Sequence, residues 1–276
     1  MSYKDFWQPL TRLYDEAEAK AVARMLMEVH YGLSLTDIVS DGIDHIDEKE
    51  LQKLQQRLLA GEPVQYVIGV ADFGPRTFKV APGVLIPRPE TFRLCEMIIA
   101  ERKQERLPLN ILDIGTGSGC IACTLAAELP ESQVTAWDVA EEALASAREN
   151  ALRNRVHISV ERHDALDPPP PHISWDIIVS NPPYVCLKEA ASMEHHVLDY
   201  EPHTALFVPD DDPLLFYRSI SDYASKTLAR DGSLYFEINP LFVTPIETLL
   251  REKGFEDIAH HDDQFGKTRF IKATNL

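Results

Sequence analysis

Apolar positions along this 276-residue chain change period once, and the change divides it. From Asp15 to Tyr31, Ala17, Ala21, Val22, Leu26 and Val29 fall near helical spacing. A second helix is expected from Asp47, with Glu50 three residues on as a capping-box partner. It carries Leu51, Leu54 and Leu58 on one face and stops at Gly61. Residues 1–62 therefore predict a small helical domain. Between Gly61 and Pro89 glycines and prolines recur, and Phe73, Phe78, Val80, Val84 and Ile86 sit in short extended pieces. This pattern predicts a hairpin linker over 63–90, after which Thr91 is the expected N-cap of a helix reaching about Glu101.

From Asn110 the period alternates between strand and helix. Strands are expected at Ile111 to Ile114, Val134 to Val139, His157 to Val160, Trp175 to Ser180 and Ser233 to Ile238. Helices are expected at Cys120 to Leu129, Glu141 to Asn154 and Leu214 to Ala229, with another starting at Thr244-Pro245 and ending at Gly254. Phe255 to His260 and Arg269 to Ala273 then read as a terminal antiparallel hairpin. Over 91–276 this predicts an α/β domain: a mostly parallel seven-stranded sheet, covered on both faces, that ends in the hairpin.

Two loops in that domain carry chemistry. Asp113-Ile114-Gly115-Thr116-Gly117-Ser118-Gly119 lies where a strand hands over to a helix, the place of a Rossmann-like nucleotide loop. Asp138 ends the next strand, where a carboxylate can accept both hydroxyls of a ribose, and Asp164 after the third strand is placed for an adenine amino group. A dinucleotide loop reads Gly-x-Gly-x-x-Gly; here the third glycine comes one position early, which favours S-adenosyl-L-methionine over NAD. The alternatives at these positions are a glycine turn that serves packing alone and a solvated loop carboxylate at Asp164.

The second loop is Asn181-Pro182-Pro183-Tyr184, at the carboxyl end of a strand, where open α/β sheets bind ligands. An amide or exocyclic amine nitrogen is a weak nucleophile because its lone pair is delocalised. The Asn181 side-chain oxygen can accept one of its N–H groups and the Pro182 carbonyl the other, which aligns the lone pair and spreads developing positive charge. Consecutive prolines stiffen the backbone that presents these acceptors, and Tyr184 can pack on the planar group. The chemistry expected is methyl transfer to a planar nitrogen.

Net charge narrows the partner. With 44 acidic against 27 basic residues the chain carries −17, which opposes a phosphate backbone and favours a small molecule or a basic protein surface. No run of about 18 apolar residues and no basic-then-apolar start occurs, so neither a membrane span nor a secretory signal is expected. Four cysteines in a chain this long fit a reducing cytoplasm better than a disulfide framework. Cys120-x-x-Cys123 lies on an expected helix and reads as buried thiols rather than a redox pair. His195-His196 and His260-His261 lack companions at metal-ligand spacing.

Five segments together resemble the release-factor glutamine methyltransferases, the HemK/PrmC family. They are Gly61 to Tyr66, Leu85 to Thr91, Asp113 to Gly119, Asn181 to Tyr184, and Tyr200-Glu201-Pro202 with Ala205-Leu206-Phe207. Asn-Pro-Pro-Tyr is shared with DNA and RNA amino-methyltransferases; Ile86-Pro87-Arg88-Pro89-Glu90-Thr91 discriminates. The resemblance implies a helical N-terminal domain that recognises a peptide-chain release factor, and methylation of the glutamine amide in that factor's Gly-Gly-Gln motif. It assigns Gly115, Thr116, Gly117, Ser118, Gly119 and Asp138 to S-adenosyl-L-methionine, and Asp164 and Asn181 are further candidates for contact with that cofactor. It assigns Asn181, Pro182, Pro183 and Tyr184 to the glutamine. The sequence departs from the family at Phe92, where a second acid is usual, at Ala165, where an aromatic is common, and at Val208 to Pro213, which replaces a glycine-rich acidic turn. The rival readings are a ribosomal-protein glutamine methyltransferase, a nucleic-acid amino-methyltransferase and a non-catalytic cofactor-binding module.

Overall fold

The structure is a computed structural model that describes residues 1–40, 42–103 and 108–275. It divides into two compact units: Met1–Val70 with Met193–Glu201, and Ala71–Ser192 with Pro202–Leu276. The division at Val70 falls inside the segment 63–90.

The first unit packs α1 (Tyr3–Trp7), α2 (Glu16–Tyr31), α3 (Leu35–Val39), α4 (Glu48–Leu59) and α5 (Val64–Ile68). Asp15 caps α2 by accepting the Glu18 N–H, and Gly32 closes it at φ 68°. The buried stripe of α2 is Ala19, Ala23, Leu26 and Met27; of the expected positions Leu26 is buried and Val22 packs against the core, whereas Ala17 and Ala21 face solvent and Val29 is half exposed. Alanine is tolerated on either face of a helix, so the larger Leu26 and Met27 set its rotation. In α4 the face is as expected, with Leu51, Leu54 and Leu58 buried. Asp47 caps it by accepting the Lys49 and Glu50 N–H groups, while reciprocal capping boxes stand at Ser2/Asp5 and Ser34/Asp37.

The stretch read as a linker opens with a helix. In α5, Val64, Tyr66 and Val67 are buried, and Arg57 donates to the carbonyls of Tyr66 (3.1 Å) and Val67 (3.2 Å) while Glu62 accepts from its Nε at 2.7 Å. Five residues carry too little periodicity to announce a helix, and tertiary bonds to its carbonyls stabilise it.

The second unit begins with a hairpin, β1 (Val70–Phe73) and β2 (Arg76–Lys79), followed by α6 (Pro89–Arg102). Helix α6 starts at Pro89 with Arg88 as N-cap, so Thr91 is not the cap. Proline's fixed φ and missing N–H suit the first helical position, and Thr91 becomes a buried residue of the first turn. Phe92 lies edge-on to Phe73, with ring centroids 5.3 Å apart. Its ring fills the space at Gly74, where a Cβ would come within 2.2 Å of it.

Beyond these lie β3 (Asn110–Ile114), α7 (Cys120–Glu128), β4 (Gln133–Asp138), α8 (Glu141–Arg153), β5 (Ser159–Arg162) and β6 (Trp175–Ser180). The short β7 (Val185–Cys186) pairs in parallel with β8 (Phe207–Val208); between them come α9 (His195–Tyr200), which belongs to the first unit, and α10 (His203–Leu206). The chain ends with α11 (Leu215–Thr227), β9 (Leu228–Glu237), α12 (Val243–Glu252), β10 (Glu256–Asp262) and β11 (Thr268–Thr274). Strand β9 starts before the expected Ser233, because Leu228 already pairs with Trp175 on β6. Helix α12 starts one residue before Thr244, after a 3₁₀ turn that Asn239 caps.

The seven-stranded sheet has the order β10-β11-β9-β6-β3-β4-β5. Strands β9 to β5 are parallel and β11 and β10 antiparallel, the fold expected. Side-chain alternation builds a core on each face. Ile111, Ile177, Val179, Tyr235 and Phe270 pack with α6, α7 and the hairpin, and Leu112, Ile178, Leu234, Phe236 and Ile271 pack with α11 and α12. The chain leaves β3 toward β4 and β5, then returns to β6 on the other side. The switch point between β3 and β6 lies where the two chemical loops emerge.

Candidate active site

Both loops open into one cleft of about 1070 Å³ including its open mouth, within the second unit. Gly115, Thr116, Gly117, Ser118, Asp138, Asp164, Asn181, Pro182 and Pro183 all line it. Gly119 and Tyr184, also expected at the site, are not in its wall.

The glycine loop is held from beneath. Asp113 is fully buried, and its Oδ2 accepts the Thr116 hydroxyl (2.6 Å) and the Ala122 N–H (3.2 Å). Burial pushes its carboxyl up to about 7 against these bonds, with the charge of Asp138 adding to the rise. Asn150, buried on α8, donates to the Ser118 carbonyl (2.9 Å) and pairs with both backbone groups of Lys79. The loop and the hairpin are thereby fixed to the same helix. Gly117 has φ 54°, and its N–H donates to Asp138 Oδ2 at 2.9 Å. Asp138 Oδ1 takes the Ala140 N–H at 3.0 Å. Each carboxylate oxygen has two lone pairs, so both keep one for a ribose hydroxyl.

The far end of the cleft is apolar. Val139 is half exposed there, His163 packs tilted against Trp137 with centroids 4.5 Å apart, and Ala165 stands where an aromatic was the family expectation. Helix α11 closes this end: Ser219 donates to the Ala165 carbonyl (2.6 Å), and Phe216 and Ile220 line the cleft. Asp164, exposed, accepts the Leu166 N–H at 2.8 Å. A nucleoside fits such a space: acceptors beside backbone N–H groups at one end, an apolar slot at the other.

Asn181 follows β6, and its Nδ2 donates to Thr91 Oγ1 at 3.2 Å. Tyr184 stands behind the tetrad, donating its hydroxyl to Glu237 Oε1 at 3.0 Å while its carbonyl accepts from Asn239. Burial, and then the Glu237 carboxyl, raise its hydroxyl pKa far above the ordinary tyrosine value. Glu237, at the end of β9, was not expected at the site. Its only sequence signal is a charge inside the apolar run Leu234 to Ile238. Arg88 lines the cleft, Glu90 accepts a bond from Gln264 at 3.4 Å, and the side chain of Glu201 is buried.

All four cysteines are buried and unpaired. Burial raises the thiols of Cys120 and Cys123 to about 12. A thiol reagent at mildly alkaline pH is expected to modify the folded protein slowly and the urea-unfolded chain at all four positions. Fast reaction of two thiols before unfolding would restore the redox reading. Among the described residues, no group of three or more His, Cys, Asp or Glu side chains is placed to hold a metal ion.

Comparison with known proteins follows the same division. The Methyltransferase small domain family matches residues 95–199, and the PrmC N-terminal domain family matches residues 10–69. A release factor glutamine methyltransferase from Bacteroides thetaiotaomicron is 43% identical over 96% of this chain and 96% of its own length. The chain belongs to the release factor glutamine methyltransferase family. A second member, from Flavobacterium psychrophilum, is 41% identical over 97% of this chain and 95% of its own. Among solved structures, the T. thermophilus 16S rRNA N2 G1207 methyltransferase aligns at TM-score 0.56 and 20% identity, covering 75% of this chain and 50% of that one. That likeness concerns the fold of the methyltransferase domain.

Proposed function

We propose that this enzyme transfers a methyl group from S-adenosyl-L-methionine to the side-chain amide N5 of the glutamine in the Gly-Gly-Gln motif of a peptide-chain release factor, acting in the cytoplasm on translation termination. The observation that carries the reading is Asn181: it stands at the mouth of a nucleoside-sized cleft with its Nδ2 already bonded, in a chain similar over its whole length to proteins named for that activity.

Gly115 to Ser118 and Asp138 would hold the cofactor's amino-acid and ribose parts, with Val139 and Asp164 beside the adenine. When bound, the cofactor supplies an electrophilic methyl carbon on a sulfonium sulfur that leaves as a neutral thioether. Asn181 Oδ1 accepts one N–H of the substrate amide and the Pro182 carbonyl the other. The nitrogen lone pair is thereby turned toward the methyl carbon, and positive charge building on nitrogen meets two preorganised acceptors. The amide proton then goes to water, so no strong base is required. The helical first unit is assigned to recognition of the factor, and the net charge of −17 suits a basic protein surface better than nucleic acid.

The test is incubation of purified release factors with methyl-labelled cofactor, followed by peptide mapping. One methylene of added mass on the Gly-Gly-Gln peptide is expected. Label in a ribosomal protein or in RNA, with none in the factor, would overturn the assignment. Phe216 is the aromatic ring that stands in for the one absent at Ala165. Phe216→Ala is expected to weaken cofactor binding about tenfold, the scale of one aromatic contact. Turnover at saturating cofactor should hold. Unchanged affinity by calorimetry would remove Phe216 from the adenine site.

A further inference from the structure

Asn181 is useful as an acceptor only if its amide is the right way round. Turned over, it would offer Nδ2 to the substrate N–H and repel it. The residues behind it decide which way it faces. Thr91, buried in the first turn of α6, has its Oγ1 2.6 Å from Glu237 Oε2 and 3.2 Å from Asn181 Nδ2. Glu237 is buried at the end of β9, next to β6 in the sheet, where Phe236 pairs with Ser180; Glu237 and Asn181 are thus the next residues on adjacent parallel strands. Its other oxygen, Oε1, takes the Tyr184 hydroxyl. Tyr217, also buried, donates to the Glu237 carbonyl at 3.3 Å.

With Glu237 ionised, the donors and acceptors in this chain of bonds have one consistent order. A carboxylate only accepts, so the single proton of the Thr91 hydroxyl is committed to Glu237. The Thr91 oxygen then has only lone pairs left and can receive an N–H but not offer one. Asn181 must present Nδ2 to it, and Oδ1 is left for the cleft. Burial raises the Glu237 carboxyl pKa, while the bonds from Thr91 and Tyr184 and the positive charge of Arg269 oppose that rise.

We infer that Glu237 and Thr91 are positioning residues for methyl transfer: the carboxylate orients the Thr91 hydroxyl, and the hydroxyl locks the Asn181 amide with its oxygen toward the substrate nitrogen. This rests on the role given to Asn181 above. Thr91 lines the cleft, but in this scheme neither residue bonds to substrate or cofactor. They remove the freedom of Asn181 to turn over, a freedom that would otherwise leave part of the enzyme in a non-productive form.

The test uses the full-length enzyme with a release factor and labelled cofactor. Thr91→Val keeps the shape and removes the hydroxyl; kcat is expected to fall about 10- to 100-fold, less than for loss of a direct transition-state contact. Cofactor affinity should stay near wild type. Thr91→Ser restores the hydroxyl and should recover most of kcat, which a purely packing role for the threonine methyl would not allow. Glu237→Leu is the independent arm: with its acceptor gone, the Thr91 proton turns to Asn181 Oδ1, and kcat should fall at least as far. In ¹⁵N-labelled protein the Asn181 side-chain amide resonances should shift in both Thr91→Val and Glu237→Leu, and return in Thr91→Ser. Wild-type kcat in folded Thr91→Val or Glu237→Leu, or a folded Thr91→Ser as slow as Thr91→Val, overturns the inference. Asn181→Ala run alongside separates the two levels. If it keeps turnover, the role of Asn181 itself fails; if it loses turnover while Thr91→Val does not, only the positioning scheme fails.

Discussion

Asn181→Ala is expected to lower kcat for methylation of a release factor by about 10²- to 10³-fold, the cost of one preorganised partner of the transition state. The magnitude follows from what the alanine leaves behind. The substrate nitrogen carries a delocalised lone pair, and the methyl-transfer step requires no strong base. Rate therefore depends on holding the amide so that the lone pair faces the methyl carbon, and on acceptors for its two N–H groups as they acidify. Removing Asn181 Oδ1 leaves the Pro182 carbonyl as a single acceptor, which fixes a point but not a plane. Cofactor affinity should change far less, because the glycine loop and Asp138, which line the same cleft, keep their own bonds. Single-turnover kinetics with peptide mapping reads the effect directly. A mutant that turns over at a rate close to wild type would show that Asn181 does not orient the nitrogen.

The parts of this site that a reader of the sequence can find are those made by short-range logic. Strands such as Trp175 to Ser180 are apolar runs closed by polar residues, and a glycine-rich turn or an Asn-Pro-Pro at such a boundary is visible in one window. The parallel order of the sheet then places both loops at one switch point. What escapes is set by distance along the chain. Thr91 comes two residues after a proline and resembles a cap, yet its hydroxyl is committed to Glu237, 146 residues away. Glu237 resembles an interruption in a strand, because its partners come from α6, from the loop after β6 and, by its charge, from Arg269 on β11. Short helices escape for a different reason. The elements at 195–200 and 203–206, like α5, are too brief to show a period and persist through tertiary bonds, as Tyr200 does by donating to the Ala60 carbonyl at 2.9 Å. The face of α2 is legible at Leu26 and Val22 but not at its alanines, because alanine carries little information about burial.

Gly119→Val is expected to destabilise the methyltransferase unit by about 2–6 kcal/mol, from two separate sources. Gly119 caps α7 at φ 78°, a left-handed conformation that a β-branched residue adopts only under strain of about 1–3 kcal/mol. A Cβ built there would also lie 3.0 Å from both Cα and Cβ of Ala147 on α8, and that helix cannot retreat, since Asn150 one turn on is bonded to the Ser118 carbonyl and to Lys79. Overpacking of this kind costs about 1–3 kcal/mol more. Gly115 and Gly117 differ: a Cβ at either meets nothing within 4 Å on the protein side, so their substitution should spare the fold more and act mainly on the loop's conformation. Part of the steric cost at Gly119 can be isolated by adding Ala147→Gly, which removes the Cβ contact and leaves the 3.0 Å approach to the Ala147 Cα together with the backbone strain. In urea unfolding, the double mutant should be more stable than the sum of the single changes predicts, with a coupling of about 1–2 kcal/mol. Cofactor binding, which depends on the loop's dihedral angles rather than on Ala147, should stay impaired. Strict additivity would assign the cost to the positive φ and the Ala147 backbone rather than to its side chain, and a Gly119→Val protein with unchanged midpoint and affinity would show that neither the turn nor the helix contact constrains this position.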